Sequence, residues 1–162
     1  MRLLPADRAR LAHWRRLPRF NRLDSRWTDP EANQGGNPFI GFGSDGVVSL
    51  GAMAPWKNGD PPKVPALVFH APKAGTWSLS AIPKAQRWDG RGACKLRRFL
   101  LNSEQGEVQQ LATWELEPGR ETSLNAETIE LAQGQRLGLV FSVDGMHSGA
   151  SCQFNGLRLV RR

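Results

Sequence analysis

Six tryptophans and no tyrosine set the aromatic chemistry open to this 162-residue chain. A flat indole face stacks on the C–H side of a pyranose ring, and it stacks equally well on an unpaired base. Two of the six stand among polar turn formers: Trp56 precedes "KNGDPP", and Trp88 opens "WDGRG". Beside Trp88, Asp89 and Arg91 can hydrogen-bond to hydroxyls or to a carboxylate. Trp56, Trp88, Asp89 and Arg91 are therefore the candidate ligand-binding set. The competing assignment for each Trp is an aromatic that pins its own loop, with the indole N–H given to backbone. Trp77 alternates with Leu79, and Trp114 stands near Leu116, so both of these read as core.

Other chemistries find no matching residues. A hydrolase needs a nucleophile beside a base, or two facing carboxylates. The three histidines, His13, His70 and His147, fall in no nucleophile-elbow or metal-ligand spacing. Glu115, Glu117 and Glu121 gather around one turn, where charge discourages edge-to-edge pairing of strands. Cys94 and Cys152 are too few for a disulfide framework or a metal site, and both fall in strand-like runs. They read equally well as reduced buried thiols or as one disulfide. We expect no enzyme, no cofactor and no metal.

The elements that must hold these residues are strands. Alternating or apolar runs occur at 65–71 ("PALVFHA"), 76–82 ("TWSLSAI"), 93–102, 107–116, 122–131, 136–143 and 151–160, with "GVVSL" at 46–50 as an eighth. Between them lie the turn formers Pro72–Gly75, Asp89–Gly92, Glu117-Pro118-Gly119, Gln133-Gly134 and Asp144-Gly145. In "TWSLSAI", Trp77, Leu79 and Ala81 face one way and the hydroxyl residues the other, as suits a strand with one wet face. "LGLVFSV" is apolar at nearly every position, as suits a strand covered on both sides. Seven or eight such strands with no amphipathic helix among them predict an all-β fold, an antiparallel sandwich of jelly-roll type. The expected division is a basic docking segment over 1–26, a loop-rich lead-in with one short strand over 27–63, and the sandwich over 64–162.

Charge is concentrated at the front. Residues 1–26 hold eight arginines and two aspartates, so they supply +6 of a formal net charge of +7. Pro5-Ala6-Asp7 can start a helix that Pro18 would end. Leu11, Trp14 and Phe20 are anchors of a kind that a solvated tail lacks, and Arg8, Arg10, Arg15, Arg16, Arg19, Arg22 and Arg26 would form a cationic rim around them. Such an arm suits docking on an acidic protein. It also suits an anionic membrane surface or phosphates. No run reaches the roughly 18 apolar residues of a membrane span, and Arg8, Arg10, Arg15 and Arg16 break up any signal-peptide core. The chain as written is expected to be cytoplasmic, or extracytoplasmic if Met1 is not the native start.

Two stretches carry a family resemblance over about 64–160. "VPALVFHAPKAGTWSLSA" places Phe69, Ala71, Pro72, Gly75 and Trp77 in the pattern aromatic-x-A-P-x-x-G-x-aromatic. "IELAQGQRLGLVFSVDG" places Ile129, Leu131, Gly134, Leu137, Val140 or Phe141, Val143 and Asp144 in a second one. Together with a final "FNGLRLV" they resemble the galactose-binding-like jelly-roll modules attached to secreted carbohydrate-active enzymes. The resemblance implies a non-catalytic carbohydrate-binding module in which the loop tryptophans Trp56 and Trp88 meet glycan. Gln135 replaces that family's acidic residue after the late glycine, and "DGMHSGAS" lacks a further Asp, so a calcium-supported or carboxylate-based loop has no residues to rest on here. Two other functions are expected after glycan binding. One is a structural accessory subunit, membrane-extrinsic in one version, docked into a larger assembly by the arginine arm. The other, ranked third because the body is nearly neutral, is nucleic-acid or anionic-surface binding by the same arm.

Overall fold

The computed structural model describes residues 19–21, 26–28, 38–43, 45–54, 64–89, 93–102, 107–145 and 149–162. The proposed helix near the N-terminus lies outside them, and among the described residues every regular element is a strand. In chain order these are β1 (Arg19–Asn21), β2 (Arg26–Thr28), β3 (Phe39–Phe42), β4 (Val48–Met53), β5 (Ala66–His70), β6 (Gly75–Asp89), β7 (Cys94–Asn102), β8 (Glu107–Leu116), β9 (Leu124–Leu131), β10 (Arg136–Val143) and β11 (Gly149–Arg161).

Their pairing defines the fold. β4 pairs β11, β5 pairs β10, β6 pairs β9 and β7 pairs β8, all antiparallel, as in one long ribbon folded back on itself. Rolling that ribbon sets β6 against β11 and β7 against β10. The two sheets that result have the orders β1-β2-β3-β4-β11-β6-β9 and β5-β10-β7-β8. The eight strands β4 to β11 form a jelly roll, and they are the eight that the alternation predicts.

Strand alternation builds the core. Ala150, Cys152 and Phe154 of β11 face Leu96 and Cys94 of β7 and Leu137, Leu139, Phe141 and Val143 of β10 in one buried cluster. β10 is buried along nearly its whole length because its other face is covered too: Val140 packs there with Val64 and Phe99. The two turns behind the family resemblance meet in space. Ala71 N–H donates to the Gln135 carbonyl at 2.9 Å, and Gly134 N–H donates to the Ala71 carbonyl at 2.8 Å. Gly134 has φ of 79° there, a conformation that glycine takes without strain. Gln135 closes its own turn by accepting the Ala132 N–H at 2.9 Å, which occupies the side chain at the position where the family carries an acid. The two aromatics of the first motif, Phe69 and Trp77, pack edge to face at 5.1 Å.

Two features depart from the sequence expectation. The stretch 27–63 contributes β3 and β4 to the seven-stranded sheet, and β1 and β2 extend that sheet by pairing through β3. Three- and four-residue strands such as "RWT" and "FIGF" are too short to show a period, and they form because β4 offers an edge. β6 also runs to Asp89 instead of ending near Ile82. The added length passes through Pro83, which cannot donate to a ladder. Its carbonyl accepts the Thr122 N–H, so its nitrogen faces the same side, beyond the point where β9 pairing ends at Ala81–Leu124. The missing donor breaks no ladder bond.

Cys94 and Cys152 are free and fully buried. Burial pushes both thiols up from the ordinary 9.0, and the nearby Cys94 raises Cys152 further. Raised folded-state values mean that the native protein keeps protons that the unfolded chain releases above about pH 8.5. We predict that neither thiol reacts with a thiol-specific chromogenic reagent until the protein unfolds. The thiol contribution to stability should be level below about pH 8 and should fall as pH rises through 9. Rapid labelling of native protein at neutral pH would contradict this placement.

Candidate functional site

β6 alternates along its added length. Ala81 and Ala85 turn into the core, while Ile82 and Trp88 turn to solvent on the outer face of the seven-stranded sheet. Trp88 is 47% exposed and is a strand residue; the expectation of a loop position fails because β11 carries the pairing as far as Asp89. Across the sheet, Phe39 of β3 is in register with Gly51 of β4, Gly51 with Ser151 of β11, and Ser151 with Gln86 of β6. Only a hydrogen and a hydroxymethyl therefore stand between Phe39 and β6 in that row. The Phe39 and Trp88 rings stack across the gap, with centroids 6.2 Å apart and planes 14° from parallel. Phe39 also receives the Arg26 guanidinium, 4.3 Å from the ring centroid. Phe39 is only 3% exposed. Phe39 thus contacts both the guanidinium and the indole, and Trp88 is the exposed aromatic of the set.

Such a stack holds Trp88 in place. Phe39 backs the indole, and Arg26 adds an attraction of about 0.5–1 kcal/mol to the Phe39 ring at an exposed site. A side chain already held costs little further entropy on meeting a flat ligand face. The next row of the same face reads Arg26, Gly41, Ser49, Gln153 and Lys84 in register, a set of hydrogen-bonding groups broken only by a glycine.

The remaining candidates are placed as follows. Asp89 is the last residue of β6, next to Trp88. Trp56 and Arg91 lie outside the described residues. Of the arm residues, Arg19 and Phe20 form β1, and Arg26 is in β2. Arg8, Arg10, Leu11, Trp14, Arg15, Arg16 and Arg22 lie outside the described residues. The structure thus joins Arg26 to Trp88 through Phe39, a residue with no signal of its own in the sequence. His70 is exposed at the end of β5, opposite Arg136. Glu117 pairs with Arg120 at 3.2 Å in an exposed turn. Among the described residues no three His, Cys, Asp or Glu side chains gather as a metal set.

No family model matches the chain, and no curated protein matches it. Among solved structures, the carbohydrate-binding module TmCBM61 in complex with β-1,4-galactotriose matches at 15% identity and a TM-score of 0.40, over 81% of this chain and 74% of that one. A CBM4 structure matches at 11% identity and a TM-score of 0.43, over 73% and 72%. A protein of Sulfurospirillum deleyianum matches at 8% identity and a TM-score of 0.28, over 68% and 98%. All three scores are below 0.5, and the jelly-roll assignment stands on the strand pairing above.

Proposed function

We propose that this protein is a non-catalytic glycan-binding module and that Trp88 is its stacking platform. The observation that carries the proposal is the backed, half-exposed indole on the outer face of the seven-stranded sheet. An indole whose only duty was to pin a loop would be covered, with its N–H bonded to backbone. Trp88 is a strand residue held by stacking on one side and open on the other. The Ser49–Gln153–Lys84 row supplies the hydroxyl, amide and ammonium groups that orient a sugar ring. Sugar-binding names among the structural neighbours accord with this function without adding to its support.

Docking through the arginine arm is the weaker function for the described part of that arm. The Arg26 guanidinium already lies over Phe39, so using it as a partner contact would break the stack.

Affinity electrophoresis against a panel of soluble plant and bacterial polysaccharides tests the proposal. Wild-type protein should be retarded by at least one of them. Trp88→Ala should reduce that retardation about tenfold, the scale of a base–aromatic stack at roughly 1–3 kcal/mol, and Trp88→Phe should keep part of it. Mobility of Trp88→Ala equal to wild type in every retarding gel would rule the platform out.

A further inference from the structure

The outer face that carries Trp88 continues along β6 and β11 well beyond the stack, and its charge has one sign. From Trp88 back to Ser78, the outward residues of β6 include Gln86, Lys84 and Ser80 and no carboxylate. On β11 the outward residues run from Ser151 through Gln153 and Asn155 to Arg158, Val160 and Arg162, again with no carboxylate. Lys84, Arg158 and Arg162 are all exposed. Arg158 is in register with Ser80, four residues along β6 from Lys84, and Arg162 follows Arg158 by four. At about 3.3 Å per residue, the three cations stand at intervals of roughly 13 Å along the strands. Arg162 is held in position, with its guanidinium donating to the Ser78 hydroxyl at 3.4 Å. Among the described side chains, carboxylates flank the row on the β9 side at Glu130, which accepts the Thr76 hydroxyl, and at Glu121, beside Lys84. From Trp88 to Arg162, which lies beside Thr76, the row is about 40 Å long, enough for several sugar residues in a row.

We infer that the outer face of β6 and β11 takes an acidic polysaccharide, a polyuronate, laid along the strands with one ring on Trp88 and its carboxylates on Lys84, Arg158 and Arg162. This inference rests on the glycan function proposed above and assigns its ligand class. Regularly spaced cations among hydroxyls, amides and the exposed side chains of Ile82 and Val160 match a polymer that carries carboxylates, hydroxyls and C–H faces. A single-stranded nucleic acid also carries regular negative charge, but it draws on successive aromatic platforms, and this face presents one exposed indole.

The test compares polygalacturonate and alginate with fully methyl-esterified polygalacturonate, which keeps the backbone and removes the charge. The full chain is used throughout, so residues 1–18 contribute equally to every variant. Wild type should be retarded more strongly by at least one free acid than by the ester, and added salt should narrow the gap. Lys84→Gln/Arg158→Gln/Arg162→Gln should lose about tenfold in retention on the free acid and little on the ester. Because Arg162→Gln also removes the Ser78 contact, Lys84→Gln/Arg158→Gln is measured beside it and should lose most of the same preference, with an unchanged thermal midpoint. Equal retention on acid and ester, abolished by Trp88→Ala, overturns the acidic assignment and leaves the glycan function standing. Retention on the acid that survives Trp88→Ala but falls in the charge variants overturns the platform and supports the cation row. No retention on either polyuronate overturns the inference, and so does stronger retention on oligodeoxythymidylate through the same three residues.

Discussion

Phe154→Ala should lower the stability of this protein by about 3–5 kcal/mol, a large part of the roughly 5–15 kcal/mol that holds a domain together. Phe154 is fully buried at the centre of β11, in register with Val48 of β4 on one side and Pro83 of β6 on the other. Both β11 partners in the seven-stranded sheet therefore meet at this ring, and the cavity left by alanine cannot be filled from one side alone. The expected fall in thermal midpoint is roughly 6–20 °C. Ile82→Ala is the matched control. Ile82 is a neighbour of Pro83 on the same strand but turns outward at 42% exposure, and its truncation should cost under about 1 kcal/mol. A larger loss for Ile82→Ala than for Phe154→Ala would mean that the inward and outward faces have been exchanged, because a one-residue slip reverses every side chain, and equal losses would contradict the burial of Phe154.

Phe39→Ala should damage stability and ligand retention together, although Phe39 is nearly closed to solvent and cannot itself meet a ligand face. Its ring contacts both the Arg26 guanidinium and the Trp88 indole, and its edge lies over Gly41. Truncation removes a buried aromatic, at a cost of about 3 kcal/mol. It also leaves Trp88 without backing, and we expect roughly tenfold weaker polysaccharide retention, about 1.4 kcal/mol. Phe39→Leu separates the two effects: it restores most of the buried volume without the stacked ring. Stability should then largely recover, and retention should recover less. A double-mutant cycle between positions 39 and 88, read in denaturant midpoints, should return a coupling of about 0.5–1.5 kcal/mol. Zero coupling would show that the rings do not support each other.

The jelly roll was legible in the chain because its strands advertise themselves. Each inward residue of "TWSLSAI" or "RLGLVFSV" is apolar for the same reason that it is inward, and the glycine at 134 stands where a turn needs a positive φ. The site was legible only in part. Trp88 stands out as an indole among polar residues, but Pro83 and "WDGRG" mask its membership of a strand. The strand extends that far because β11 supplies the partner, and a long-range partner leaves no periodic trace in a local window.

Composition and alternation alone thus determined the fold class, the eight ribbon strands and the uneven placement of charge, since all three follow from which residues can be buried next to their neighbours in sequence. Only the tertiary structure decided what surrounds Trp88. Phe39 and Arg26 come from strands far from it along the chain, and the register of β3, β4, β11 and β6 alone puts a glycine and a serine between the rings so that they can meet. The same register aligns Arg158 with Ser80, which converts scattered basic residues into a row. Local propensity acts over a few residues, whereas a sheet face is assembled from strands tens of residues apart, and its chemistry exists only once they are paired.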